Sequence, residues 1–308
     1  MNSPRVLLHL GLPKTATSSL QHNVFQKLHS EDRLNFLGKC LDHNYKTGKL
    51  EIFNYTGKFI RDAAEGTLSI EEARQQLVSV VRRDCLNVFS DEGLMVAYPG
   101  KKNRPLSEKI ENLTKIFEDY DVKVVVTLRD PVDYLYSLYV ELYPDYCSKV
   151  REINSVQNYV KSLLSNPDDL LFESFFFKRW LPVLEKNFDV TVFKYSQLVS
   201  KDPSVYQGWA ALLGLTTDEF RKYFDSKKVN VKTKLGKEVK KVKNLKGLES
   251  QFRNLLSINR IVFNAAKWIY NVSRLKKVIG YRFLSSGSHS YPEGEQYDSL
   301  QELLNSKQ

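Results

Sequence analysis

Apolar and polar positions alternate in short blocks along this chain. Arg5-Val6-Leu7-Leu8-His9-Leu10 is an apolar run that stops at Gly11-Leu12-Pro13, and a helix-compatible stretch follows from Thr15 to about Leu28. A buried strand, a tight turn and a helix are predicted in that order. Asn87-Val88-Phe89-Ser90 and the segment 122–128 have strand character, and the second carries the β-branched density of a central parallel strand. Between them 69–83 reads as a helix, with Ser69 as its cap and Glu72 three residues later. Ser107, Ile110, Leu113, Ile116 and Phe117 repeat the helical spacing. Pro131 can open a helix that runs to about Glu141. Further helices are expected at 152–164, 173–186 and 203–213, with a strand at 190–193. Such alternation predicts an α/β fold, a parallel-sheet core with helices on both faces. Residues 30–65 fit the rhythm poorly and are expected to form an irregular insertion near the site. The core is placed at 1–226, and 227–308 is expected to pack on the same domain as a helical C-terminal extension.

Within that extension Leu255, Ile258, Val262, Ala265, Ile269, Val272, Leu275 and Ile279 recur every three or four residues, the stripe of one long amphipathic helix. The 308 residues are 42% hydrophobic and 27% charged, which is a folded composition rather than a disordered one. No long charge-free apolar stretch is present, and the first residues lead straight into a strand, so neither a membrane span nor a signal peptide is predicted. Cys40, Cys85 and Cys147 are widely separated and form no zinc-binding set with the five histidines. A cytoplasmic setting is expected.

The net charge of +10 is local: 227–282 holds sixteen Lys and Arg against Glu238 and Glu249, leaving the rest of the chain net acidic. That run calls for an anionic partner or is a solvated face. The amphipathic helix beside it can pack on its own core, pair with another subunit, or lie peripherally on an anionic membrane at the inner face. The oligomeric state stays open.

Gly11-Leu12-Pro13-Lys14-Thr15-Ala16-Thr17-Ser18-Ser19 lies between the first strand and the first helix. Backbone N–H groups at such a helix start converge on an anion, with a lysine and several hydroxyls beside them, as in a phosphate-loop nucleotide-binding fold. The order Gly-Lys-Ser/Thr of nucleoside triphosphatases is absent. Taken alone, the loop has an ordinary strand-to-helix turn with surface hydroxyls as its lesser alternative. A second constellation, Arg129-Asp130-Pro131 with Ser137 eight residues after the arginine, follows the best strand in the chain. Its position at the carboxyl edge of the sheet is where open α/β folds hold ligands, and a guanidinium with a hydroxyl suits one phosphate. The alternative is an arginine paired with Asp130 or Asp133.

Together the two segments resemble the sulfotransferase superfamily that uses 3′-phosphoadenosine 5′-phosphosulfate (PAPS), most closely its bacterial and carbohydrate-type members. Ala16 stands where the family commonly has glycine, and Val-Phe-Lys-Tyr-Ser-Gln-Leu at 192–198 is similar to a later family strand and its ending. The resemblance implies that Leu12, Pro13, Lys14, Thr15, Ala16, Thr17 and Ser18 cradle the 5′-phosphosulfate, with Lys14 on the oxygen bridging phosphorus and sulfur. It implies that Arg129 and Ser137 select the 3′-phosphate, and that 3′,5′-adenosine bisphosphate is the product, with no metal required. Ala16 is expected to avoid a positive φ angle.

The acceptor hydroxyl needs a base. Ser90-Asp91-Glu92 resembles a strand-ending Ser-Ser-Glu of bacterial and carbohydrate-type members, which makes Glu92 the first candidate, kept basic by partial desolvation and oriented by Ser90 or a lysine. A surface or capping role for Glu92 is the alternative, and His9 is the reserve. The same branch points to a carbohydrate or glycolipid acceptor, with Asn44, Tyr45, Lys46, Tyr139, Tyr143 and Tyr146 offered as contacts. Two other functions compete: a nucleotide kinase or nucleoside triphosphatase on the same scaffold, and a basic nucleic-acid-binding protein. The second lacks any recognised nucleic-acid-binding signature, so no specific nucleic-acid partner is expected.

Overall fold

The computed structural model describes residues 3–44, 49–150, 152–153, 155–226 and 291–306. The basic run and the predicted long amphipathic helix lie outside these described residues. A five-stranded parallel sheet has the order β2-β5-β1-β6-β7, with β1 Arg5–His9, β2 Asn35–Phe36, β5 Asn87–Ser90, β6 Asp121–Leu128 and β7 Asp189–Lys194. Alternation along each strand sends its side chains to two separate cores. Val6, Leu8, Phe89, Val124 and Val126 face one layer. It is formed by α3 Lys58–Ala64, α4 Ile70–Val80, α5 Leu106–Ile116, α6 Pro131–Lys149, α7 Val156–Ser165 and α8 Phe177–Asn187. Leu7, Val88, Val125 and Phe193 face the other. There the first helix packs with α10 Pro203–Leu213 and α11 Thr217–Phe224. The short helix α9, Tyr195–Val199, leaves β7. The expected α/β class is therefore what the chain adopts.

The first helix begins as α1, Thr17–Ser19, loosens into a π segment at Leu20–Phe25 and finishes as α2, Gln26–Ser30. Residues 30–65 are more regular than expected: they contain β2, an antiparallel hairpin of β3 Cys40–Asn44 and β4 Lys49–Asn54, and α3. Asn54 fixes that excursion to the sheet by donating to the Phe36 carbonyl at 2.5 Å. The final helix, α12 Glu295–Asn305, buries Leu300 and Leu304 in the first core. Among the described residues no helix is long and apolar enough to cross a membrane.

Candidate active site

β1, β5 and β6 lie side by side and end at the same edge of the sheet, so the segments leaving them meet there. The loop after β1 turns sharply: Lys14 and Ala16 both have φ of 67°, in the left-handed region. The expectation that Ala16 avoids positive φ is thus overturned, because the chain must reverse within two residues to start α1. Thr15 Oγ1 donates to the Leu12 carbonyl at 2.5 Å and closes the turn from inside. Gly11 is required by crowding. A Cβ there would lie 2.5 Å from Thr17 Cγ2 and 2.6 Å from His9 Nε2. Leu12, Pro13, Thr15 and Thr17 are buried, whereas Lys14, Ala16 and Ser18 are partly exposed.

Arg129, at the end of β6, reaches back to this loop and donates from NH1 to the Lys14 carbonyl at 3.4 Å. Its guanidinium also lies 5.1 Å from the ring centre of Tyr195 and 3.9 Å from Asp133. Arg129 Nε is buried and has no hydrogen-bond partner among the described residues. Ser137 is partly exposed on α6, two turns beyond Asp130, the cap that accepts from the Val132 and Asp133 amides. Glu141, one turn further, takes the Lys14 ammonium at 2.7 Å.

A second cluster forms where β5 ends. Gln21, projected by the π segment, donates to Ser90 Oγ at 3.1 Å and to Glu92 Oε2 at 2.9 Å. Lys39 meets Glu92 Oε1 at 3.1 Å. Burial would raise the Glu92 carboxyl, but Lys39 and the Gln21 hydrogen bond outweigh it and hold the group below its ordinary value. This corrects the expectation that desolvation sets its basicity; the nearby lysine does orient it, while Ser90 turns elsewhere. Ser90 Oγ is 2.8 Å from His9 Nδ1. His9 is fully buried, edge-on to Phe25 and Trp209, and burial drives its imidazole down to about 4 against an opposing pull from Glu92. Asp91 points the other way: it accepts from the Tyr55 hydroxyl and the Gly93 amide and lies 3.4 Å from Arg61. Burial raises its carboxyl, opposed by Arg61.

Tyr139 and Tyr146, expected as acceptor contacts, are core residues: both are fully buried and their rings stack at 5.8 Å. The side chains of Asn44, Tyr45, Lys46 and Tyr143 lie outside the described residues. Gln21, Lys39, Arg61 and Glu141 were not anticipated. Only Glu141 had a local signal, its four-residue spacing from Ser137 on one helix face.

Two solved structures are similar in part. A sulfotransferase from Alicyclobacillus acidocaldarius aligns at 16% identity and TM-score 0.42, covering 93% of this chain and 99% of that one. A structure of the PezAT chromosomal toxin-antitoxin system of Streptococcus pneumoniae aligns at 11% identity and TM-score 0.29, covering 83% and 88%. No curated protein matches the sequence. The sulfotransferase domain family matches residues 4–257, and the chain belongs to that family.

Proposed function

We propose that this sulfotransferase uses PAPS as donor and a carbohydrate or glycolipid hydroxyl as acceptor, releasing 3′,5′-adenosine bisphosphate. The observation that carries the donor reading is Arg129, anchored on the Lys14 carbonyl with its buried Nε lacking a partner among the described residues. A guanidinium so placed suits a phosphate at the loop edge, and Ser137, partly exposed eight residues on, offers a hydroxyl. Lys14 and the amides of residues 12–18 would hold the phosphosulfate. As the acceptor oxygen bonds to sulfur, the bond from sulfur to the bridging oxygen breaks and negative charge grows there. Lys14 stabilises that charge more than it stabilises the ground state, once it exchanges Glu141 for the donor.

Glu92 is the proposed base, ionised at neutral pH and steadied by Gln21 and Lys39. His9 is too deeply enclosed to meet an acceptor and instead fixes Ser90. Replacing Arg129 with alanine should weaken 3′,5′-adenosine bisphosphate by roughly tenfold or more, as expected for loss of a charged hydrogen bond, while adenosine 5′-phosphate is little affected. Calorimetry with both nucleotides tests this, and equal losses would remove Arg129 from the 3′-phosphate.

A further inference from the structure

Beyond Arg61, which contacts Asp91 at 3.4 Å, lies a small open basic pocket whose cavity volume is about 20 Å³. Arg61, Tyr98, Lys101, Lys102, Arg104 and Lys109 line it, with one carboxylate, Glu65, among them. The backbone has been cleared for its guanidinium groups. A Cβ on Gly93 would come within 2.4 Å of Arg61 NH1, and one on Gly66 within 2.3 Å of Arg104 NH2. Its rim is braced by Asn103, which accepts from the Tyr98 amide at 2.9 Å and donates to the Tyr98 and Lys101 carbonyls at 3.0 and 3.1 Å.

The positive charge is only partly neutralised. Glu65 is held by Arg61 at 3.1 Å, Glu108 by Arg104 at 2.8 Å, and Asp91 is enclosed with Tyr55 behind Arg61. Lys109 is buried with its ammonium donating to the Leu94 and Val96 carbonyls at 3.0 and 3.4 Å. Lys101 and Lys102 are exposed and form no ion pair among the described residues, and the Lys101 ammonium lies 5.0 Å from the Tyr98 ring centre. Three cations therefore share one concave surface without a carboxylate of their own. Arg61 joins this surface to the segment that carries the proposed base: it stands 5.8 Å from the Tyr98 ring centre and 3.4 Å from Asp91, the residue before Glu92.

We propose that this pocket is an acceptor subsite for an anionic substituent: a carboxylate, sulfate ester or phosphate ester borne by the molecule whose hydroxyl approaches Glu92. Lys101 and Lys102 supply mobile charge at the mouth, and Arg61 and Lys109 supply fixed charge at the base. Such a pocket turns acceptor choice into a charge requirement, since a neutral sugar leaves Lys101 and Lys102 facing water while an acidic one pairs with them. The inference rests on the sulfuryl-transfer reading of the adjoining site and narrows it to acidic acceptors.

The test uses the full chain saturated with 3′,5′-adenosine bisphosphate, titrated with methyl β-glucuronide, methyl β-glucoside and inorganic sulfate at low and moderate salt. The wild-type protein should bind the glucuronide at least tenfold more tightly than the glucoside, with the preference shrinking as salt rises. K101Q/K102Q should lose most of that preference and still bind the nucleotide normally. Absence of any preference, its survival in the double variant, or failure of both glycosides to bind would overturn the subsite. Sulfate binding as tightly as the glucuronide, and lost in the same variant, would make this a free-anion site and overturn its role in acceptor choice. Failure of the nucleotide to bind would instead count against the donor reading, so the two failures are distinguishable.

Discussion

Ala16 holds φ of 67° at the point where the loop after β1 must turn into α1. An L-residue with a Cβ pays roughly 1 kcal/mol for that conformation, whereas glycine adopts it freely. Ala16→Gly should therefore raise the denaturation midpoint by an amount equivalent to about 1 kcal/mol, less whatever the freer unfolded chain takes back. Urea unfolding measures it, and a destabilised variant would mean that the Ala16 methyl, packed against the second core, outweighs the backbone strain. Glu92 poses a different question at the same scale, because its carboxylate shares Lys39 and Gln21 and, as the proposed base, would have to accept a proton beside them. Glu92→Gln keeps the size and the contact geometry while removing basicity. Sulfuryl transfer should fall by roughly two to four orders of magnitude, with nucleotide affinity unchanged. Single-turnover rates across pH decide it: the wild-type rate should decline only at acid pH, since the carboxyl titrates below its ordinary value, and a fully active variant would move the base elsewhere.

At the scale of elements, α6 and α12 hold the Arg129 segment between them. Gln301 donates to Asp130 Oδ2 at 3.0 Å and the Tyr291 hydroxyl donates to Asp133 at 2.8 Å, so the C-terminal helix and the residues leading into it grip the start of α6. Leu300 is fully buried beneath that contact. Leu300→Ala should cost about 2 to 5 kcal/mol through lost burial and the cavity left behind, read by denaturant unfolding; a cost below about 1 kcal/mol would show that α12 docks only loosely. Elements with strong internal signals were legible beforehand. The Val124, Val125 and Val126 run is wholly buried as a central strand requires, and Ser69 and Glu72 form both bonds of a capping box. β2 was not legible, because two residues carry no periodicity; Asn35 is instead placed by its side chain, which donates to Asn87 Oδ1 and the Val80 carbonyl, both at 2.8 Å. The end of α6 was misplaced for a related reason. Its buried Tyr139, Leu142 and Tyr146 extend the apolar stripe past Glu141, and aromatic spacing alone does not tell core from rim. In the site, the loop and the Arg129 segment were readable because each is contiguous. Lys39 and Gln21 were not, since only the folded chain brings residues 53 and 71 positions from Glu92 against its carboxylate.

Over the whole molecule, the same cluster that arranges the proposed base also links folding to pH. His9 sits between the two sheet-end segments, its Nδ1 on Ser90 and its ring wedged against Phe25 and Trp209 in the second core. Burial lowers its pKa from 6.5 to about 4, so across that interval the unfolded chain binds a proton at this ring that the folded chain refuses. Stability contributed by the neutral imidazole is present in full above the unfolded value, declines as pH falls below about 6.5, and is gone near 4. The lowering corresponds to about 3 kcal/mol. Glu92 adds a loss of the same sign at lower pH, because its folded carboxyl is also depressed. The two separate by substitution: His9→Gln removes the imidazole titration and leaves the Glu92 contribution. Urea unfolding at several pH values between 7 and 4.5 should show the wild-type protein losing stability more steeply than the variant, whatever their relative stabilities at pH 7. Parallel curves would mean that His9 titrates alike in the folded and unfolded chains, and the argument from an enclosed neutral ring for preferring Glu92 as the proposed base would go with them.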